Sequence, residues 1–152
     1  MEQTPEEGVR GVTRLRWASA GHPPPVVLDA NGRLLDVPEV PGRLMLGVDR
    51  GHVRGQTVLE LPAGATVLLY TDGLIERPGS HLDTDLARLQ QCATELAHLP
   101  LEELCDQLLD HLVHGHPTDD LALLAVRLHP QNRPRPAEAG PNKLPPTLDT
   151  PN

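Results

Sequence analysis

The stretch VLLYTDGLIE, residues Val67–Glu76, changes character halfway along its length. Its first four residues are apolar or aromatic, as in a strand buried in a core, and the triplet Thr-Asp-Gly follows directly. Strand ends are common places for functional residues, because the strand fixes the backbone and the loop presents the side chain. A carboxylate at such a position caps a helix, closes a turn or binds a hard metal ion. The rest of the sequence decides among these three roles for Asp72.

The composition is that of an ordinary soluble globular domain. Of 152 residues 38% are hydrophobic, with one Trp, one Tyr and no Phe, so Leu and Val must form the core. The net charge of −8 argues against a nucleic-acid-binding surface, which needs clustered Lys and Arg, and is compatible with cation binding. The acidic N-terminus is unlike a signal peptide, and no apolar run approaches the roughly 20 residues of a membrane span. We therefore predict a cytoplasmic protein without a membrane segment.

The first half of the chain has the pattern of short antiparallel strands. They are predicted over residues 12–18, 25–37 (two strands around the hairpin signal Asn31-Gly32), 53–61 and 65–70. Leucines at helical spacing then predict two helices, over residues 83–98 and 101–112. The last apolar segment, LALLAVRL (residues 121–128), predicts a strand that is apolar on both faces and central in its sheet, one face of which this chain does not obviously cover.

This order of elements predicts an α+β fold with helices packed on an antiparallel sheet. The domain is expected over residues 12–129, after a disordered or residual segment at residues 1–11. The tail, residues 130–152, is rich in proline and has no apolar periodicity, so it is expected to be disordered.

A second acidic motif, Thr118-Asp119-Asp120, lies directly before the last strand. If that strand and the one ending at Tyr70 are antiparallel neighbours, Asp72 and Asp119 lie at the same edge of the sheet. Carboxylates at one edge, completed by water, bind Mg²⁺ or Mn²⁺, and Gly73, without a Cβ, lets backbone and solvent approach the ion. Taken singly, an Asp-Gly turn and a solvated acidic turn are the alternatives for these aspartates.

The histidines do not point to a competing site. His22 lies in AGHPPP, where three prolines already predict a rigid turn. His114 and His116 form an HxH pair, but no third ligand has the spacing of a tetrahedral zinc site. We interpret all three as loop residues.

Three motifs together carry a family resemblance: AGHPPPVVL (residues 20–28), YTDGLIE (residues 70–76) and PTDDLALLAVRL (residues 117–128). In this order and spacing they resemble the SpoIIE-type branch of the PPM metal-dependent protein serine/threonine phosphatases, over residues 17–128. The resemblance implies an antiparallel β-sandwich flanked by helices, with two Mn²⁺ or Mg²⁺ ions at one end. It also implies that these ions activate a water, which attacks the phosphorus of a phosphoserine or phosphothreonine directly.

The resemblance also implies roles for individual residues and a class of partner. Asp72 and Asp119 match the metal-binding aspartates of the family, while Gly73 lies near the metal and Asp120 belongs to its outer shell. The substrate is a phosphoprotein, with a phosphorylated anti-sigma-factor antagonist of bacterial partner switching as the implied example.

One family motif is absent from this sequence, the GGDxxD-like segment that supplies the first metal ligands. Residues 1–16 contain Glu2, Glu6 and Glu7 but not that pattern. A two-metal site needs carboxylates between ions about 3.5–4 Å apart, so Asp72 and Asp119 supply only part of the shell. The chain is therefore expected to be the C-terminal half of a catalytic domain, from a truncated gene, a start codon assigned too far downstream, or a fragment. Two other functions stay open: a catalytically inactive interaction module and a plain divalent-cation-binding fragment.

Overall fold

The computed structural model describes residues 10–38, 40, 44–77, 79–113 and 120–129. The elements in these ranges are β1 (Val12–Trp17), β2 (Val26–Leu28), β3 (Thr57–Pro62), β4 (Thr66–Tyr70), a 3₁₀ turn (Asp72–Leu74), α1 (Leu82–Leu96), α2 (Leu101–Leu112) and β5 (Leu123–Arg127). The predicted α+β fold with antiparallel sheets is confirmed. No helix in the described ranges is long and apolar enough to cross a membrane.

The strands form two antiparallel sheets. In the smaller sheet β1 pairs with β3 along its whole length, from Val12 opposite Pro62 to Trp17 opposite Thr57. The larger sheet has the order β2-β4-β5, so β4 is its central strand. β4 and the strand after the second acidic motif are thus antiparallel neighbours, the arrangement that the same-edge prediction requires.

The two faces of β4 belong to two different cores. Leu68 and Tyr70 face the helices, where the buried cluster continues with residues such as Leu89, Leu104 and Leu108. Val67 faces the smaller sheet and packs in a second cluster, with Val27, Leu61 and Ala65. The described part of the chain therefore has three layers: two helices, the three-stranded sheet and the two-stranded sheet. Each fully buried leucine or valine in these cores contributes about 1.5–3 kcal/mol.

Arg127 joins the sheet to the connection between the helices. Its Nε donates to Thr66 Oγ1 (2.9 Å), and its two terminal nitrogens donate to the carbonyl oxygens of Leu99 (2.8 Å) and Ala97 (3.2 Å). The last carbonyls of a helix lack partners within the helix and attract positive charge, so a guanidinium is well suited to this position. Arg127 thereby holds the end of α1 against β4 and β5.

The position predicted for the last strand is wrong within the described sheet. β5 lies at an edge, paired with β4. Leu124 and its cross-strand partner Leu69 are 56% and 44% exposed, and they point to the same face as Val67. The buried cluster between the sheets includes Val67 but does not extend to this pair. Within the described residues, the segment is therefore apolar on both faces although only one of them is well covered.

The predicted strands in the first half are shorter than expected. The hairpin around Asn31-Gly32 is present, but after β2 its return strand is reduced to a single bridge between Leu28 and Leu34. Asp29 organises the turn, because its Oδ1 accepts the N–H groups of Asn31 (2.8 Å) and Arg33 (2.9 Å). Gly32 supplies the positive φ, +78°, that such a turn needs. The strand predicted from residue 53 begins at Thr57.

Candidate metal centre at the strand ends

Asp72 begins a tight turn immediately after β4. Its carbonyl oxygen accepts the N–H groups of Ile75 (2.9 Å) and Glu76 (2.8 Å), which closes the 3₁₀ turn. Its carboxylate is exposed, and Oδ1 accepts the N–H of Gly73 at 3.1 Å. The turn therefore presents the carboxylate to solvent at the end of the central strand.

Thr71 connects this turn to the chain that leads into β5. The Thr71 N–H donates to Ala122 O (3.0 Å), and the Ala122 N–H donates back to Thr71 Oγ1 (2.9 Å). The same hydroxyl donates to Asp120 O at 2.9 Å. The residue before Asp72 is thus hydrogen-bonded to Asp120 itself, and the two acid-bearing strand ends meet at one edge of the sheet.

The structure covers three of the four predicted site residues. Asp72, Gly73 and Asp120 lie at this edge, and the side chains of Asp72 and Asp120 are exposed. Asp119, together with the loop histidines His114 and His116, lies outside the described residues, so its role as a ligand stays a prediction.

The AGHPPP motif packs against the strand that leads to Asp72. Tyr70 Oη donates to Pro24 O at 2.9 Å, and Ser19 Oγ donates to His22 O at 2.9 Å. Burial raises the pKa of Tyr70 to about 12, so its hydroxyl remains a donor at neutral pH. The first motif of the sequence is therefore linked to the second by Tyr70, one residue before Thr71.

An ion pair follows the acidic turn and connects it to α1. Arg77 contacts Asp85 Oδ1 through Nε (2.6 Å) and through a terminal nitrogen (2.5 Å), and Ser80 Oγ donates to the same oxygen at 2.9 Å. Asp85 is 2% exposed in the first turn of α1. Arg77 is therefore paired with a buried carboxylate, and this pairing depends on how α1 folds back onto the loop.

The environment of Asp85 contains opposing influences on its pKa. Desolvation by burial raises the pKa, whereas the hydrogen bonds from Arg77 and Ser80 and the charge of Arg77 lower it, and the net shift is downward from 3.8. Because the folded-state pKa is depressed, Asp85 stabilises the fold above about pH 4, and this contribution is lost as pH falls through the folded-state pKa.

Replacing Arg77 with Met is expected to destabilise the chain at pH 7 and much less at pH 3. The buried carboxylate then lacks its cation, but its protonation in acid removes that penalty. We expect a loss of about 2 kcal/mol at pH 7, below the 3–5 kcal/mol of fully buried pairs because the Arg77 side chain is 40% exposed. Urea unfolding at both pH values measures this. Asp85→Asn should likewise destabilise the chain less at pH 3 than at pH 7. Equal losses in the free energy of unfolding at both pH values would contradict the assignment of Arg77 and Asp85 as a charged pair.

The described residues include the type of ligand that a divalent cation prefers, but they supply only part of a ligand shell. Carboxylate oxygens are the ligands that Mg²⁺ and Mn²⁺ prefer, and the carboxylate of Asp72 is open to solvent beside the segment that carries Asp120. Within the described ranges, however, no three His, Cys, Asp or Glu residues form a group that could hold a metal ion. A complete shell would need further ligands, from Asp119, from water or from outside these ranges.

The sequence motifs did not reveal two contributors to this edge. The Thr-Asp-Gly triplet marks Asp72 and Gly73, whereas the role of Thr71 is indicated only by the position of its hydroxyl between a buried strand and an acidic turn. The Arg77–Asp85 pair had a weaker signal, an acidic residue within the first turn of a predicted helix.

The layered antiparallel sheets and two helices are the fold of a PPM phosphatase-type domain. A family model described as Stage II sporulation protein E (SpoIIE) matches residues 10–129, so the chain belongs to the SpoIIE family. A similar solved structure is that of the RsbU and RsbW domains of a Mycobacterium tuberculosis protein, with a TM-score of 0.67 and 33% identity. The match covers 76% of this chain and 33% of the solved chain.

Proposed function

We propose that this chain is the C-terminal part of a metal-dependent protein serine/threonine phosphatase, which hydrolyses phosphoric monoesters. The observation that carries the proposal is the junction at Thr71, which joins the Asp72 turn to Asp120 at one sheet edge. Membership of the SpoIIE family over residues 10–129 supports the class of reaction.

In this proposal Asp72 and Asp119 hold Mn²⁺ or Mg²⁺, and Asp120 contributes from the outer shell. A carboxylate at the strand end supplies a hard anionic oxygen, and Gly73 leaves room for the ion and its water beside the backbone. The bound ions would supply the positive charge that activates water as the nucleophile and stabilises the phosphoryl oxygens. An outer carboxylate at Asp120 would orient the ligands by hydrogen bonding.

A protein substrate suits the geometry of this edge. The Asp72 turn is exposed at the end of the sheet and is not recessed in the core, so a phosphorylated segment of a folded partner can approach it. The similarity to a structure containing an RsbU and an RsbW domain supports a place in partner switching. We propose a phosphorylated anti-sigma-factor antagonist as the substrate and the cytoplasm as the location.

A second candidate function is a catalytically inactive, phosphatase-like interaction module. It is favoured by the incomplete metal shell of the described residues, among which no group of three potential ligands occurs. Such a module would keep the partner-binding surface of the family without hydrolysing the phosphoprotein.

The proposal is tested by completing the domain. We expect the chain alone to release little phosphate from a phosphoserine protein in millimolar Mn²⁺. A chimera that places it behind the preceding part of the M. tuberculosis RsbU domain should hydrolyse the same substrate, and chelation should stop the reaction. Asp110→Asn, a change at an exposed position of α2, is the control that should keep full activity.

Two results would contradict the proposal. A folded chimera without Mn²⁺-dependent hydrolysis would favour the inactive module. Full activity of the chain alone would show that the expected dependence on a further metal-binding segment is wrong.

A further inference from the structure

Thr71 divides its hydrogen bonds between two structures. Its carbonyl oxygen, which would continue the pairing with β5 in a regular strand, instead accepts the Leu74 N–H (3.1 Å) of the 3₁₀ turn. Its hydroxyl takes over the pairing, since Oγ1 accepts the Ala122 N–H (2.9 Å) and donates to Asp120 O (2.9 Å). The chain can therefore leave the sheet at Asp72 without breaking its connection to the neighbouring acidic segment.

We propose that Thr71 is a positioning residue for the cation site. Its hydroxyl holds the segment that carries Asp120 against the Asp72 turn, so that these two acidic residues can act on one divalent cation. This role rests on the proposed function in one respect, because it uses the same cation site. It concerns the binding of the ion and not the hydrolysis.

A hydroxyl side chain fits this role. A serine places an oxygen at the same position and can both accept and donate, whereas valine keeps the branched shape of threonine without either capacity. Tyr70 just before it is the last residue of β4 paired with β5, opposite Leu123, so the alignment of the two acidic segments beyond the ladder depends on Thr71.

The positioning role and a purely structural role predict different outcomes. Both hydroxyl bonds lie in an exposed setting, where water replaces a lost partner and the effect on folding is small. Outer residues that orient metal ligands, in contrast, change metal affinity by about 10–100-fold when substituted. The signature of positioning is therefore a large change in cation affinity with little change in melting temperature.

The test is Mn²⁺ binding to the full chain, with free Mn²⁺ measured by electron paramagnetic resonance. We expect Thr71→Val to weaken binding by about tenfold or more while its Tm stays within about 5 °C of the wild type. Thr71→Ser should keep the wild-type affinity. Thr94→Val is the matched control, because the Thr94 hydroxyl also bonds to the main chain (Gln90 O, 2.8 Å) but on an exposed part of α1.

Three outcomes would overturn the inference: wild-type affinity in Thr71→Val, a Thr71→Ser variant as weak as the valine variant, or no Mn²⁺ binding by the wild-type chain. If Thr71→Val lowers the Tm by more than this range, Mn²⁺ binding is measured with Thr71→Ala at a temperature where that variant is folded. Thr71→Ala must then show the same weakening of Mn²⁺ affinity. Phosphate release by the chimera is scored separately. An inactive chimera with weakened Mn²⁺ binding in Thr71→Val would reject the phosphatase and leave the positioning role standing.

Discussion

Replacing Asp72 with Asn is expected to reduce Mn²⁺-dependent hydrolysis by the chimeric domain by more than about 100-fold. An amide oxygen binds a divalent ion far less well than a carboxylate, and loss of even an outer partner of a metal ligand costs about 10–100-fold. The variant should fold, because the Asn side chain keeps an oxygen that can accept the Gly73 N–H seen in the structure. Phosphate release as a function of Mn²⁺ concentration is the measurement.

Without metal, the same substitution should leave stability unchanged or slightly raised, because two carboxylate-bearing segments then repel each other less. Asp119→Asn should match Asp72→Asn in both respects, and Asp120→Asn should be milder, since an amide still serves as a hydrogen-bond partner outside the ligand shell. Asp110→Asn controls for the general loss of one negative charge. Full Mn²⁺-dependent activity in the Asn variants at 72 and 119 would show that these aspartates are ordinary turn residues.

Replacing Arg127 with Met is expected to lower the free energy of unfolding by about 3 kcal/mol. Hydrogen bonds from a charged group contribute about 1.5–3 kcal/mol, and each buried group that is left without a partner adds a penalty. The substitution keeps much of the apolar stem but removes the donors to Thr66 Oγ1, Leu99 O and Ala97 O. Thr66 is buried, so water does not readily replace the guanidinium there. Urea unfolding, fitted with one m-value for both proteins, measures the difference in the free energy of unfolding.

Arg14→Met is the matched control for Arg127. Arg14 lies on β1 and approaches Glu60 at 3.9 Å, with side chains 38% and 68% exposed, and such surface pairs contribute about 0–1 kcal/mol. Arg127→Lys should fall between wild type and Arg127→Met, because one ammonium group cannot span three separate acceptors. Equal losses in the two Met variants would show that Arg127 does not hold the helices to the sheet.

The helices were the most predictable part of the fold. Leucine spacing predicts the bounds of α2 as they are observed, and it predicts those of α1 to within two residues. It does so because burial on one face repeats with the helical period. The place of β5 was not predictable in the same way. A segment that is apolar on both faces indicates that both must be covered, but it does not say whether the covering layer belongs to the same chain.

The acidic edge was predictable only where neighbours in sequence carry the information. Asp72 could be singled out because a strand, a carboxylate and a glycine follow one another. The hydroxyl of Thr71 acts on Asp120 and Ala122, and Arg77 pairs with Asp85 across the start of α1. These contacts exist only after the strands and the helix have assembled, so the local patterns around Thr71 and Asp85 do not identify their partners.

Successive side chains of β4 pack in two different cores, and this packing also fixes the position of Asp72 along the sheet edge. A slip of one residue in strand register would exchange the faces of β4, turning Leu68 and Tyr70 away from the helices and Val67 towards them. The same slip would move Thr71 out of line with Ala122 and separate the Asp72 turn from Asp120. A misaligned chain thus loses its core and its acidic edge together, so any folded molecule with intact helix packing also carries Asp72 in the correct place.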